Sequence, residues 1–203
     1  LTIHDNSWAS PYWQNPLELG CDLVVHSATK YIGGHSDVVA GAVIGRNPDL
    51  GRRVAVETEW LGATPDPFAA WLLLRGLRTL PVRMRQHQDT TLQVAHLLAA
   101  HPAVAAVHYP GLPGHPGHTR ARSQLRGFSG VLSFELREQS RAATHRFLNR
   151  LRLFGLGCSW GGFESLALGG EAKLLFSAPH GPAPWLIRLS LGLEITADLL
   201  ADL

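Results

Sequence analysis

The residues with the most chemical potential in this sequence are Lys30, Ser27, Thr29 and Asp5. A lysine that forms a Schiff base needs a restricted site beside anion donors, where its amine can lose a proton. Ser27 and Thr29 stand two residues apart just before Lys30, so in an extended segment both hydroxyls point the same way. Hydroxyls, backbone N–H groups and nearby glycines suit a phosphate dianion. Asp5 closes a short apolar run, and in a parallel sheet it would lie with the Lys30 segment at strand C-terminal ends, facing one small ring. A carboxylate there keeps a ring nitrogen protonated, so that the ring accepts electrons. On spacing alone, an Asp and a Lys at two strand ends are more often a solvated pair than a ligand site.

The surrounding pattern supplies elements that could hold these groups. Leu1 to Ile3, Cys21 to Val25 and Val38 to Gly45 read as apolar strands without alternation, as expected where both faces of a sheet are covered. The polar, Gly-containing segment His26 to Asp37 lies between the last two, where α/β proteins place their chemistry. Asp49 to Leu61 and Asp66 to Leu80 read as helices, with Pro81 as punctuation before a further helix, Val82 to Ala100. The start of that further helix is Arg-rich (Arg83, Arg85, Gln86, His87) and is expected to face solvent or another domain. Strands follow near Val104 to His108, Gly130 to Leu136 and Ile187 to Leu191, with a helix over Ala142 to Leu151 and a short strand at Phe154 to Leu156. The predicted class is α/β in residues 1–80, with a mainly parallel sheet, and α+β in residues 81–203.

Composition narrows the function. The chain has 203 residues, 45% hydrophobic and 17% charged, with a net charge of +2, which suits an ordinary globular protein and argues against a nucleic-acid binder. Cys21 and Cys158 have no CxxC partner, so neither a zinc site nor a disulfide framework is indicated and a reducing, cytoplasmic setting is expected. No apolar run approaches the ~18 residues of a membrane span. His115 and His118 lack carboxylate partners at metal-binding spacing, and no metal is expected. Leu1 to Ile3 reads as a strand already under way, and Thr196 to Leu203 as a helix without a stop signal, so the sequence is expected to be part of a longer chain.

A longer string changes the odds at Lys30. Val24-Val25-His26-Ser27-Ala28-Thr29-Lys30-Tyr31-Ile32-Gly33-Gly34-His35-Ser36-Asp37 closely resembles the cofactor-lysine segment of the cystathionine synthase and lyase family, fold-type-I pyridoxal-phosphate (PLP) enzymes of Cys and Met metabolism. Asp5 to Pro11 resembles the family's strand-end Asp segment, and Arg75 to Leu80 its domain-junction motif. Ser159 to Leu166 and Ile187 to Glu194 resemble two further segments, in the family's order. The resemblance implies that Lys30 carries pyridoxal 5'-phosphate and shuttles protons, that Asp5 pairs with the pyridine nitrogen, and that Ser27 and Thr29 hold the phosphate. It gives Arg188, which alone would read as a strand-edge surface arginine, the substrate α-carboxylate, with help from Ser159. The planar, permanently charged fork of arginine suits that role.

Ser159-Trp160-Gly161-Gly162-Phe163-Glu164-Ser165-Leu166 resembles the bacterial cystathionine β-lyase form of this motif, in which an indole narrows the site. Without that resemblance Trp160 reads equally well as a packed aromatic in a Gly-rich turn. The implied activity is cleavage of cystathionine to homocysteine, pyruvate and ammonia. The alternatives are a cystathionine γ-synthase or γ-lyase, a homoserine-ester sulfhydrylase, or a truncated remnant serving only as a folded module. The resemblance also implies a homotetramer of active dimers, with no nucleic-acid or membrane partner. It places this sequence as the C-terminal half of the enzyme, expected to be poorly active alone. Glu164 and Glu194 are expected to satisfy local backbone groups.

Overall fold

A computed structural model describes residues 1–171 and 185–203. The first sheet has three strands in the order β1 (Ile3–Asp5), β2 (Leu23–Ser27), β3 (Gly41–Gly45). β1 runs parallel to β2, and β3 runs antiparallel to it. The expected mainly parallel sheet is therefore a mixed one. The link from β2 to β3 is the turn-rich Lys30 segment, which forms turns in place of the helix that usually carries a parallel return.

Between β1 and β2 lie a short helix α1 (Ser10–Trp13) and a 3-10 turn (Pro16–Leu19). Gly20, at φ 95, closes that turn. Helix α2 (Pro48–Trp60) starts where the Asn47 side chain accepts from Asp49 N, with Pro48 in the first turn. Asp66 performs the same service for α3 (Pro67–Ala100), accepting from Phe68 and Ala69 N.

α3 corrects the expected break at Pro81: it is one helix of 34 residues, and the 80/81 division falls inside it. Pro81 has no N–H for the Leu77 carbonyl, yet burial of Leu80, Arg83, Met84 and His87 holds both sides of the proline in register. Arg83 and His87 therefore do not face solvent. The expected outward face is kept only by Arg85 and Gln86.

The second half of α3 packs on a five-stranded sheet of order β4-β5-β8-β7-β6, formed by β4 (Val104–His108), β5 (Val131–Leu136), β6 (Gly155–Leu156), β7 (Leu166–Glu171) and β8 (Trp185–Ser190). Val94, Ala95 and Leu98 of the helix meet Leu132, Phe134, Ile187 and Leu189 in the main core. α4 (His118–Gln124), α5 (Arg141–Leu148) and α6 (Thr196–Asp202) complete the fold. A smaller core of Ala9, Trp13, Tyr31, Leu80 and Met84 lies where α1, the Lys30 segment and the middle of α3 meet. It fixes the residue next to Lys30. Among the described residues, no helix is long and apolar enough to cross a membrane.

Candidate active site

The site is assembled from three chain segments. Asp5 ends β1 and Ser27 ends β2, so the parallel pairing brings the Asp and the lysine segment to the same sheet edge. Ser7 connects them: its backbone N–H donates to the Asp5 carboxylate at 2.9 Å, and its hydroxyl accepts from Ser27 N at 2.6 Å. Hydrogen bonding from Ser7, chiefly through its hydroxyl, holds the exposed Asp5 carboxyl below the ordinary carboxylate range. His26, beside it in β2, is buried and pushed the other way for an imidazole, toward the neutral form, by desolvation.

After Ser27 the chain does not stay extended. Lys30 N donates to Ser27 O at 3.1 Å, Gly33 N to Ala28 O at 2.8 Å and Gly34 N to Lys30 O at 2.8 Å, curling residues 28–34 into consecutive turns. The shared direction expected for Ser27 and Thr29 is thereby lost. Thr29 Oγ1 instead accepts from Ala40 N at 3.0 Å and donates to Ala40 O at 3.2 Å, pinning the start of β3. Among the described residues, Ser27 Oγ has no such engagement.

The curl presents Lys30 to the third segment. Lys30 Nζ donates to Ser159 Oγ at 3.0 Å, and the ammonium lies 5.3 Å from the centroid of the Trp160 ring. Trp160 meets Tyr31 edge-on, with ring centroids 5.6 Å apart. Arg188, on β8, is half-buried and turned toward the same loop. Its Nη2 donates to the carbonyls of Gly157, Cys158 and Ser159 at 3.0–3.3 Å, while its buried Nε has no partner among the described residues. Burial lowers its proton affinity, and no carboxylate of the described chain offsets the charge.

Residues that sequence reasoning overlooked lock this arrangement. Arg83 Nη1 donates to Tyr31 O and Nη2 to Gly76 O, each at 2.8 Å. The Tyr31 hydroxyl accepts from Gly130 N at 2.8 Å. Glu194 satisfies a backbone N–H, though a distant one in sequence and not the local one expected: its carboxylate accepts from Ser165 N and Oγ at 2.6 and 2.8 Å. Glu164 bonds no local backbone group among the described residues: one oxygen accepts from the Ser36 hydroxyl at 2.5 Å, and the other is buried without a partner among those residues. The signal for Arg83 was present in its seven-residue spacing from Gly76, which puts both on one face of a helix only if Pro81 does not break it.

The profile of the Cys/Met metabolism PLP-dependent enzyme family matches residues 1–203. This chain belongs to that family. It is 46% identical over 202 residues to the cystathionine gamma-synthase of Mycobacterium leprae, covering 98% of this chain and 52% of the relative. It is 42% identical over 209 residues to the cystathionine beta-lyase of Lactococcus lactis subsp. cremoris, covering 100% of this chain and 54% of the relative. The crystal structure of cystathionine gamma synthase from Xanthomonas oryzae pv. oryzae, in complex with aminoacrylate and cysteine, superposes with a TM-score of 0.93 at 46% identity, over 100% of this chain and 54% of that one. The chain thus spans about half the length of the relatives it matches.

The family's cofactor is pyridoxal phosphate, and the donor set fits it. The Ser159 loop links a lysine amine and an arginine whose buried Nε has no partner among the described residues, and the adjacent ends of β1 and β2 carry an ionised carboxylate at Asp5 and, among the described residues, an unengaged hydroxyl at Ser27.

Proposed function

We propose that this chain forms the lysine-bearing half of a PLP-dependent lyase that cleaves the Cβ–S bond of cystathionine, releasing homocysteine, pyruvate and ammonia. The observation that carries the reading is the position of Lys30, hydrogen-bonded to Ser159 and overlaid by the Trp160 ring.

When bound, pyridoxal phosphate supplies a carbonyl for Lys30 and a ring that withdraws electrons from the substrate's α-carbon. Asp5 would hold the ring nitrogen protonated, which its own preference for the ionised state favours. Ser27 Oγ would donate to the phosphate, and Thr29 would reach it by exchanging one of its bonds to Ala40. Arg188 would bind the substrate α-carboxylate. Its Nε becomes satisfied in doing so, while Nη2 stays fixed to the 157–159 carbonyls and keeps the fork in one orientation. Lys30 Nζ would take the proton from the substrate Cα, with Ser159 Oγ as the hydrogen-bond partner that aims the amine. The Trp160 ring covers Nζ on one side and excludes water there.

A second reading, γ-synthase chemistry, draws support from the 46% identity to the mycobacterial gamma-synthase. It would require a further proton removal at Cβ. Against it stands the indole of Trp160 crowding Lys30. The test is to incubate the full-length protein with cystathionine and PLP and to identify the keto acid. Pyruvate is expected. In Trp160→Leu, which removes the ring from above Nζ, the pyruvate yield falls relative to 2-oxobutyrate. 2-Oxobutyrate as the main product of the unaltered protein overturns the β-lyase reading.

A further inference from the structure

The loop that carries Ser159 and Trp160 rests directly on the backbone of the lysine turn. Gly161, at φ 82, lies so close that a Cβ there would come within 3.0 Å of Tyr31 N and 3.2 Å of Lys30 C. Gly162 is just as confined, because its Cβ would collide with Ser36 Oγ and a Glu164 carboxylate oxygen. Two glycines therefore let the loops touch, and contact alone gives them no fixed register.

Besides the Lys30–Ser159 bond itself, one side-chain hydrogen bond of the described residues joins the two loops. Ser36 Oγ donates to Glu164 Oε1 at 2.5 Å, joining positions six residues beyond Lys30 and five beyond Ser159. Ser36 adopts φ 58, a left-handed conformation that costs a non-glycine residue energy and persists only when its surroundings demand it. That conformation aims the hydroxyl at Glu164. On the other side, Glu164 is anchored by its neighbours. Leu193 N donates to Phe163 O at 2.8 Å, and Ser165 is held by Glu194. Glu164 thus projects from a braced loop, whereas Ser36 belongs to the exposed outer limb of the lysine turn.

We propose that the Ser36–Glu164 hydrogen bond is the latch that sets the Lys30–Ser159 distance, making Ser36 and Glu164 positioning residues for the reactive lysine. The proposal rests on Lys30 being the cofactor lysine. Neither residue touches Nζ. They act by fixing where the two loops meet, and a displacement of the order of 1 Å at a reacting group is enough to cost a large factor in rate.

The experiment measures covalent capture of PLP by the full-length protein. Lys30 condenses with the aldehyde and loses water, borohydride reduces the product, and mass spectrometry counts pyridoxyl-Lys30 against time. Ser36→Gly is the informative variant, since glycine accepts φ 58 without strain and keeps the backbone while deleting the hydroxyl. Its thermal midpoint is expected to match or exceed that of the unaltered protein, while capture slows about tenfold. Glu164→Ala slows capture similarly, and the double variant is no slower than either alone. Glu164→Gln, which keeps an acceptor oxygen, stays within about twofold of the unaltered protein. A merely structural pair would lower the midpoint of Ser36→Gly, and that result, or capture by Ser36→Gly at the unaltered rate, overturns the latch and leaves the cofactor-lysine reading intact. Absence of PLP on Lys30 in the unaltered protein overturns both.

Discussion

Lys30 and Ser159 lie 129 residues apart in sequence, and their side chains meet at 3.0 Å. The contact is long-range in the chain but short in the fold, because the Lys30 turn and the Ser159 loop are each tied to α3 or β8. Gly161 N donates to Ser190 Oγ at 3.3 Å, so the end of β8 carries the loop, while Arg83 on α3 carries the turn.

Ser159→Ala removes the oxygen that accepts the hydrogen bond from Lys30 Nζ and leaves the Trp160 ring beside it. A single hydrogen bond to a charged group of this kind controls about a tenfold change in rate. Lys30→Ala removes the proton carrier itself and costs about 100- to 10,000-fold. Single-turnover release of keto acid from the full-length protein distinguishes the two. An alanine at Ser159 as damaging as one at Lys30 would mean that the hydroxyl is itself a proton carrier.

Much of this site can be read from residue types, and the unread part has a common cause. Lys30, Asp5, Ser159 and Arg188 are legible through the longer strings that resemble the family's segments; on spacing alone Asp5 and Lys30 read as a solvated pair and Arg188 as a surface arginine. The positions of Asp5 and Ser27 at parallel strand ends also follow from two apolar runs with polar closures. What fails is any inference that depends on tertiary cover. Pro81 reads as a stop, yet packing of Leu80 and Met84 carries the helix through it. Arg83 and His87 read as surface residues, yet each finds a carbonyl partner inside. β7 goes unread because its Gly169-Gly170 pair lacks strand propensity, and it is held by β8 on one side and β6 on the other. Thr29 reads as part of an extended segment because the Ala28–Gly33 closure depends on Gly33 pressing against Gly76 of α3, which no local string reveals.

His87 makes stability depend on pH. It is fully buried, its Nδ1 meets Leu191 O at 2.7 Å, its ring lies edge-on to Tyr31 and Arg83 is nearby. Burial, chiefly, pushes its proton affinity down from 6.5 to about 4. The folded form therefore stays neutral while the unfolded chain takes up a proton. Stability from this residue is complete above pH 6.5, declines as pH falls below it and levels off near pH 4. The loss across that window is about 3 kcal/mol. Denaturant unfolding at pH 7, 5.5 and 4 should show the unaltered protein losing that much more than His87→Gln. Parallel pH curves for the two proteins would assign the burial of His87 no part in acid stability.

Gly76 fixes how closely α3 approaches the lysine turn, and its substitution separates folding from chemistry. A Cβ at this position would collide with the carbonyl oxygens of Gly33 and Ile32, two residues that immediately follow the Lys30–Tyr31 step. The same Gly76 carbonyl accepts from Arg83 Nη2 and from Thr79 Oγ1, so helix, arginine and turn share one point of contact. In an isolated helix Gly→Ala would stabilise by about 1 kcal/mol. Here backbone meets backbone and neither side is a flexible side-chain end that can swing away, so the sign reverses. Gly76→Ala is expected to destabilise by about 1–3 kcal/mol, the range for overpacking. It should also displace the turn that presents Lys30, lowering PLP capture at temperatures well below the unfolding midpoint. Calorimetry with borohydride trapping on the same sample checks both parts. A Gly76→Ala protein with a raised midpoint and unaltered capture would show that α3 can retreat from the turn without moving Lys30.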